Sequence, residues 1–107
     1  MLDLTLQFDG YAVVRAPNGV SGLRMLMMHP FDVVICDASM PVVSGWQLVG
    51  AMRDHPRLIS LPVIMAIDPI TAELGPSDPD VFEIVRPFQV GDLCELIHRV
   101  MKGRRRR

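Results

Sequence analysis

Asp37 closes an apolar run, Asp32 to Asp37, whose interior is Val33-Val34-Ile35-Cys36, and Ser39, Met40, Pro41 and Gly45 follow it at short spacing. A carboxylate at the tip of a buried segment is exposed while its strand is not, and a side chain so presented can act as a covalent nucleophile. Strands often end in Asp, Asn or Ser before a loop, so the weight lies in the spacing rather than in Asp37 itself. Farther along, Arg86-Pro87-Phe88 offers a cation beside a proline. Other chemistries have less to stand on. Cys36 and Cys94 lie in apolar segments with no C-x-x-C spacing and no neighbouring His, and read as reduced core thiols. His29, His55 and His98 are isolated, two of them before prolines, where charge compensation at a helix end explains them without a metal. No Gly-rich phosphate loop and no G-x-S-x-G elbow is present, so an independent enzyme is not expected.

The elements that must position these groups can be read from periodicity. Four Val- and Ile-rich runs, Tyr11 to Val14, Asp32 to Asp37, Pro62 to Ile67 and Val81 to Val85, read as strands. Consecutive rather than alternating apolar residues at Val33, Val34 and Ile35 imply a strand covered on both faces, as in a parallel sheet between helices. Val20, Leu23 and Met27 form one helical stripe that stops at His29-Pro30, and Leu48, Val49 and Met52 form a second, capped by Ser44. Leu93, Leu96, Ile97, Val100 and Met101 form the third and most regular stripe. From Asp68 to Asp80, three prolines and Gly75 leave only Ile70 to Leu74 for about one helical turn. Strands alternating with helices predict one doubly wound α/β domain over residues 1–102, with a basic tail at 103–107. The reactive edge of such a sheet is expected at the carboxyl ends of its strands, near a reversal of strand order.

Composition bounds the function. The chain has 107 residues, 50% hydrophobic but only 6% aromatic, which suits one core of Val, Leu, Ile and Met. Its formal charge is -1, yet Arg104 to Arg107 hold four of the 11 basic residues against 12 acidic ones, so the body is acidic. Such a surface does not attract nucleic acid, and the arginines read as a solvated tail. No apolar run reaches the roughly 20 residues of a membrane span and no secretory signal opens the chain, which leads us to expect a cytoplasmic protein. Trp46 and the methionines, Met25, Met27 and Met28 among them, read first as core filling and second as a docking face.

Several of these stretches, taken together, carry a family resemblance. Phe31-Asp-Val-Val-Ile-Cys-Asp37-Ala-Ser-Met40-Pro41 with Gly45 resembles the phosphoacceptor strand and loop of bacterial response regulator receiver domains. Leu61-Pro-Val-Ile64 is similar to their fourth strand, Val85-Arg86-Pro87-Phe88 to their K-P-F turn, and Gly10-Tyr-Ala-Val-Val14 with Ala16-Pro-Asn-Gly19 to their second strand and second helix. The resemblance covers residues 9 to 102 and implies a flavodoxin-like fold, Asp37 as phosphoacceptor, Arg86 as the phosphate-facing cation, and Ser39, Met40, Pro41 and Gly45 as the acceptor loop. It also implies a cis bond before Pro87, and a Mg2+ site to which Asp37 and the Ser39 carbonyl remain as ligands, with Asp68 at the end of the fourth strand as a further candidate.

The departures are as informative. The family's first strand, ending in an acidic pair that helps bind the cation, has no counterpart, and residues 1 to 9 align with the end of the first helix. The alignment favours helix there, whereas Leu2, Leu4, Leu6 and Phe8 alternate before Asp9-Gly10 in the pattern of a hairpin. Without that strand its neighbours need other partners, by direct pairing, by this hairpin or by a second copy in a homodimer. Ile67 replaces the hydroxyl residue at the end of the fourth strand, Glu83 stands at the aromatic switch position with Phe82 beside it, and Arg86 replaces a lysine. The expected function is a phosphorelay receiver, served by a sensor histidine kinase or phosphotransfer protein and acting on an output protein or domain. The alternative is a pseudo-receiver that binds partners or dimerises without phosphorylation.

Overall fold

The structure, a computed structural model, describes residues 5–8, 10–16, 19–39, 43–70 and 78–105. Five strands, β1 (Thr5–Phe8), β2 (Tyr11–Arg15), β3 (Val33–Asp37), β4 (Val63–Ile67) and β5 (Val81–Val85), lie side by side in chain order. Three helices, α1 (Gly19–Met28), α2 (Gly45–Arg53) and α3 (Val90–Arg105), complete the described elements. The pairs β2–β3, β3–β4 and β4–β5 are parallel.

The front of the chain corrects the helical expectation for residues 1 to 9. β1 pairs antiparallel with β2, and Phe8 faces Tyr11 across a two-residue connection in which Gly10 has φ 84°. That left-handed angle is cheap only for glycine and is what a tight hairpin turn demands. Local alternation prevailed because β2 needed a partner on its outer edge. On its inner edge β2 pairs directly with β3, so the missing strand is bypassed rather than replaced. Asp32 reinforces this junction: its N–H donates to the Ala12 carbonyl at 2.7 Å, and its carboxylate accepts the Ala12 N–H at 2.7 Å.

Consecutive apolar residues split between two cores, because successive strand side chains point to opposite faces. Val14, Val34, Cys36, Val63 and Met65 pack with Leu26 of α1 and with Leu48 and Met52 of α2. Val13, Val33, Ile35, Ile64, Ala66 and Ile84 pack with Ile97, Val100 and Met101 of α3. Both faces are therefore covered, as a doubly wound fold requires. With strands in chain order, however, α1 and α2 share one face and no reversal of strand order occurs among the described strands. Among the described elements the second face is covered by α3, which follows β5. Fully burying each of these aliphatic side chains contributes roughly 1.5–3 kcal/mol.

The helix ends follow local chemistry. The Ser44 side chain accepts the Gln47 N–H at 3.2 Å while the Gln47 side chain accepts the Ser44 N–H at 2.9 Å, a reciprocal cap that starts α2. Met25 and Trp46 pack against the core beneath α1 and α2, whereas Met27 and Met28 are exposed beside a groove between those helices. The helix α3 runs through Gly103 to Arg105, so part of the expected tail is helical, and Ile70 begins the segment whose continuation at 71–74 lies outside the described residues.

The thiols differ. Cys36 is a buried core residue whose Sγ–H lies 3.7 Å from the Met65 sulfur, and burial pushes its thiol up to about 12. Cys94 is only half-buried, which corrects its assignment to the core. A thiol reagent at mildly alkaline pH is expected to label Cys94 alone in the native protein and both cysteines after denaturation, because thiolate is the reactive form. Intact mass and peptide mapping would read this out, and native labelling of Cys36 would contradict it.

Candidate functional site

The position two residues beyond a core residue of a strand shares its face. Val13, Ile35, Ala66 and Ile84 all belong to the core beneath α3, and the next same-face positions are Arg15, Asp37, Asp68 and Arg86. Four strands thus each raise one charge at the carboxyl edge of the sheet, where open α/β sheets assemble reactive groups. Asp37 and Arg86 meet there: Arg86 Nη2 donates to Asp37 Oδ1, and the side chains remain 37% and 45% exposed. The Arg86 N–H donates to the Ile67 carbonyl at 2.8 Å, the Arg86–Pro87 bond is cis, and Phe88 packs against the core beneath α3. Arg15, Asp68, Arg86, Pro87 and Phe88 border a cleft of about 570 Å³ above this edge.

The loop that follows Asp37 is held from two sides. The Ala38 N–H donates to Ala66 O at 3.0 Å, and the Gly45 N–H donates to Ala38 O at 3.1 Å. A Cβ on Gly45 would stand 2.6 Å from the Met65 sulfur and collide with the Asp37 carbonyl oxygen. Close approach, rather than an unusual backbone angle, is why glycine occupies this position; among the described glycines it is Gly10 that has positive φ. Ser39 is exposed, and Met40 and Pro41 lie outside the described residues.

Among the described residues, the donor set does not fit the expected Mg2+. A hard divalent cation takes six or more oxygen ligands, several of them commonly carboxylate or water. Among the described residues no three His, Cys, Asp or Glu side chains gather as a metal site. Asp37 is engaged by Arg86, the neighbouring strand contributes Arg15 where an acid would be needed, and Asp68 accepts the Ile70 N–H at 2.9 Å. Ser39 could add one carbonyl oxygen, which leaves the set well short.

Three positions flagged as departures behave as their chemistry dictates. Ile67 ends β4 half-buried and packs against the core beneath α1 and α2. Glu83 is exposed, while Phe82 packs against the core beneath α3, so the aromatic side chain faces away from where a switch residue would stand. One participant was missed by sequence reasoning, Arg15; away from the site, the half-buried pair of Arg53 with Asp78, whose Nε to Oδ2 distance is 2.8 Å, was missed as well. For Arg15 a signal existed, since it follows Val13 at the same-face spacing by which Asp37 follows Ile35.

Comparison with known proteins bears on the family and the fold. The family model for the response regulator receiver domain matches residues 1–73. The probable transcriptional regulatory protein SilR of Salmonella typhimurium is 26% identical over 98 residues, covering 87% of this chain and 41% of its own length. The chain therefore spans about two-fifths of that relative. Among solved structures, the receiver domain of a signal transduction histidine kinase from Syntrophus aciditrophicus superposes with a TM-score of 0.64 at 26% identity, covering 80% of this chain and 67% of that one. The receiver domain of sensor histidine kinase PA1611 from Pseudomonas aeruginosa, which has a magnesium ion coordinated in its active-site cleft, shares the fold with a TM-score of 0.66 at 16% identity, covering 81% and 74%. With the family model matching well over half its length, this chain belongs to the response regulator receiver domains of two-component signalling.

Proposed function

We propose that Asp37 accepts a phosphoryl group in a two-component phosphorelay and that Arg86 is the cation facing it. The observation that carries this reading is the Arg86 guanidinium laid on the Asp37 carboxylate at the carboxyl edge of the sheet. The donor would be a phosphohistidine on a sensor kinase or phosphotransfer protein. An Asp37 carboxylate oxygen forms the new P–O bond as the P–N bond breaks, and the departing imidazole nitrogen takes up a proton. The side chain then carries close to two negative charges instead of one, and three further acceptor oxygens.

Electrostatics sets the difficulty of that step. Two like unit charges about 4 Å apart cost roughly 4 kcal/mol at an effective dielectric of 20, and a phosphoryl donor brings more than one. Arg86 offsets part of the cost by direct pairing. The added charge also reorganises the ion pair and the Arg86-Pro87-Phe88 turn, which changes the surface offered to an output protein or domain. Ser39, Met40 and Pro41 complete the acceptor loop in this reading, with Gly45 setting its depth.

Incubation with phosphoramidate, with and without magnesium, is expected to give one acid-labile phosphoryl adduct per chain by intact mass. Asp37→Asn is expected to give none. Absence of an adduct on the wild type under both conditions removes the acceptor role and leaves a phosphorylation-independent interaction module.

A further inference from the structure

We infer that the cleft between Arg15 and Arg86 binds a tetrahedral oxyanion through two guanidinium groups in place of a divalent cation. Its occupant is inorganic phosphate in the unmodified protein, or the phosphoryl group on Asp37; the second of these rests on the acceptor role proposed above.

The inference starts from the β2–β3 pairing. In that register Arg15 is the partner of Ile35, one same-face step below Asp37, so a long cationic side chain stands beside the acceptor strand. Arg15 is exposed and, among the described residues, makes no ion pair. Arg86, which follows β5 on the same face, borders the same cleft and already holds Asp37. Two of the other residues there, Pro69 and Pro87, have no N–H, and the arginines are the cationic donors that border the cleft. The cleft, about 570 Å³, has room for a tetrahedral oxyanion with bound water, given about 30 Å³ per water molecule.

Guanidinium geometry, rather than net charge, favours an anion over a cation here. Asp68 borders the cleft and opposes an anion, but its carboxylate is engaged by the Ile70 N–H, and Asp37 is neutralised by Arg86. Arg15 and Asp68 are the charges left without an ion-pair partner among these four, so the set is neutral overall and an oxyanion is favoured by the donors of two guanidinium groups rather than by net charge. Arginine presents a planar fork suited to two oxygens of one phosphate, a geometry lysine cannot reproduce.

The test is a phosphate titration of the full chain in EDTA at constant ionic strength, following the arginine Nε–Hε signals by NMR. Two of these signals should move and saturate together in the millimolar range. Arg15→Gln is expected to weaken binding by about fivefold or more, with Arg15→Lys recovering only part. Asp37→Asn, which cannot carry an acyl phosphate, should still bind phosphate and bind it more tightly, because Arg86 is released. In EDTA with phosphoramidate, Arg15→Gln should also slow formation of the Asp37 adduct relative to wild type. A wild type that binds phosphate through Arg15 yet never forms an adduct supports the oxyanion site and removes the acceptor role. Binding that Arg15→Gln and Arg15→Lys both leave unchanged overturns the inference, as does binding that disappears without magnesium.

Discussion

Replacing Gly45 by alanine is expected to destabilise the protein by about 3 kcal/mol and to lower its Tm by roughly 10–25 °C. The added Cβ would stand 2.6 Å from the Met65 sulfur and collide with the Asp37 carbonyl oxygen. Neither neighbour can yield cheaply. Met65 is fully buried in the middle of β4, and the Asp37 carbonyl belongs to a strand paired on both sides. Relief would require lifting the start of α2, which breaks the 3.1 Å hydrogen bond from Gly45 N–H to Ala38 O, or twisting the tip of β3. Overpacking typically costs 1–3 kcal/mol and a lost hydrogen bond about 1 more. Gly50 provides the control on the same helix. A Cβ there meets nothing within 4 Å, so Gly50→Ala should stabilise by about 0.5–1 kcal/mol through helix propensity. Thermal melts of the two variants should move in opposite directions; a Gly45→Ala melt within a few degrees of wild type would show that the loop is not held at this depth.

The same residue shows what could be read in advance. Gly45 was legible as a requirement of the acceptor loop, because it stands at fixed spacing from Asp37, but the reason is a packing contact made only once β4 lies beside β3. The strands were legible because Val and Ile in unbroken runs have few alternatives in a chain of this length; β5 spans Val81–Val85 as the run itself does. Strand order was not legible. It depends on which edge of β2 is satisfied by what, and the strand that normally decides this has no counterpart here. For the same reason the hairpin β1–β2 was underrated: family alignment pulled residues 1 to 9 toward helix, whereas a free strand edge and Asp9-Gly10 pulled them into the sheet. Asp37 and Arg86 were placed by their motifs and do meet. Arg15 drew no attention because an exposed arginine at a strand end is ordinary until the neighbouring strand is seen to be the one that carries Asp37.

Arg53 was invisible for a different reason, since its partners are loop carbonyls and an aspartate far away in sequence, and its consequences are large. Its Nε donates to Asp78 Oδ2 at 2.8 Å, and its Nη1 donates to Leu58 O and Leu61 O, each at 2.9 Å. One guanidinium thus ties the end of α2, the loop before β4 and the turn before β5. With side chains only 17% and 15% exposed, the pair is screened less than a surface ion pair. Arg53→Ala leaves a carboxylate and two carbonyls without this donor and is expected to cost about 2–3 kcal/mol, or roughly 10–20 °C in Tm. Arg53→Lys should recover little, because one ammonium cannot span all three acceptors. The acid limb carries a second signature. The Arg53 hydrogen bond, aided by the Asp80 N–H, holds the Asp78 carboxyl below its ordinary value despite partial burial. A lowered folded-state value means that this contribution is fully present above the unfolded carboxyl's range, near pH 4, and is lost as pH falls through the folded value. Urea titrations across that range should therefore show wild-type stability falling on acidification. Arg53→Ala should be less stable at neutral pH and fall less steeply on acidification. Parallel acid limbs for the two proteins would mean that Arg53 supports the loops through packing alone.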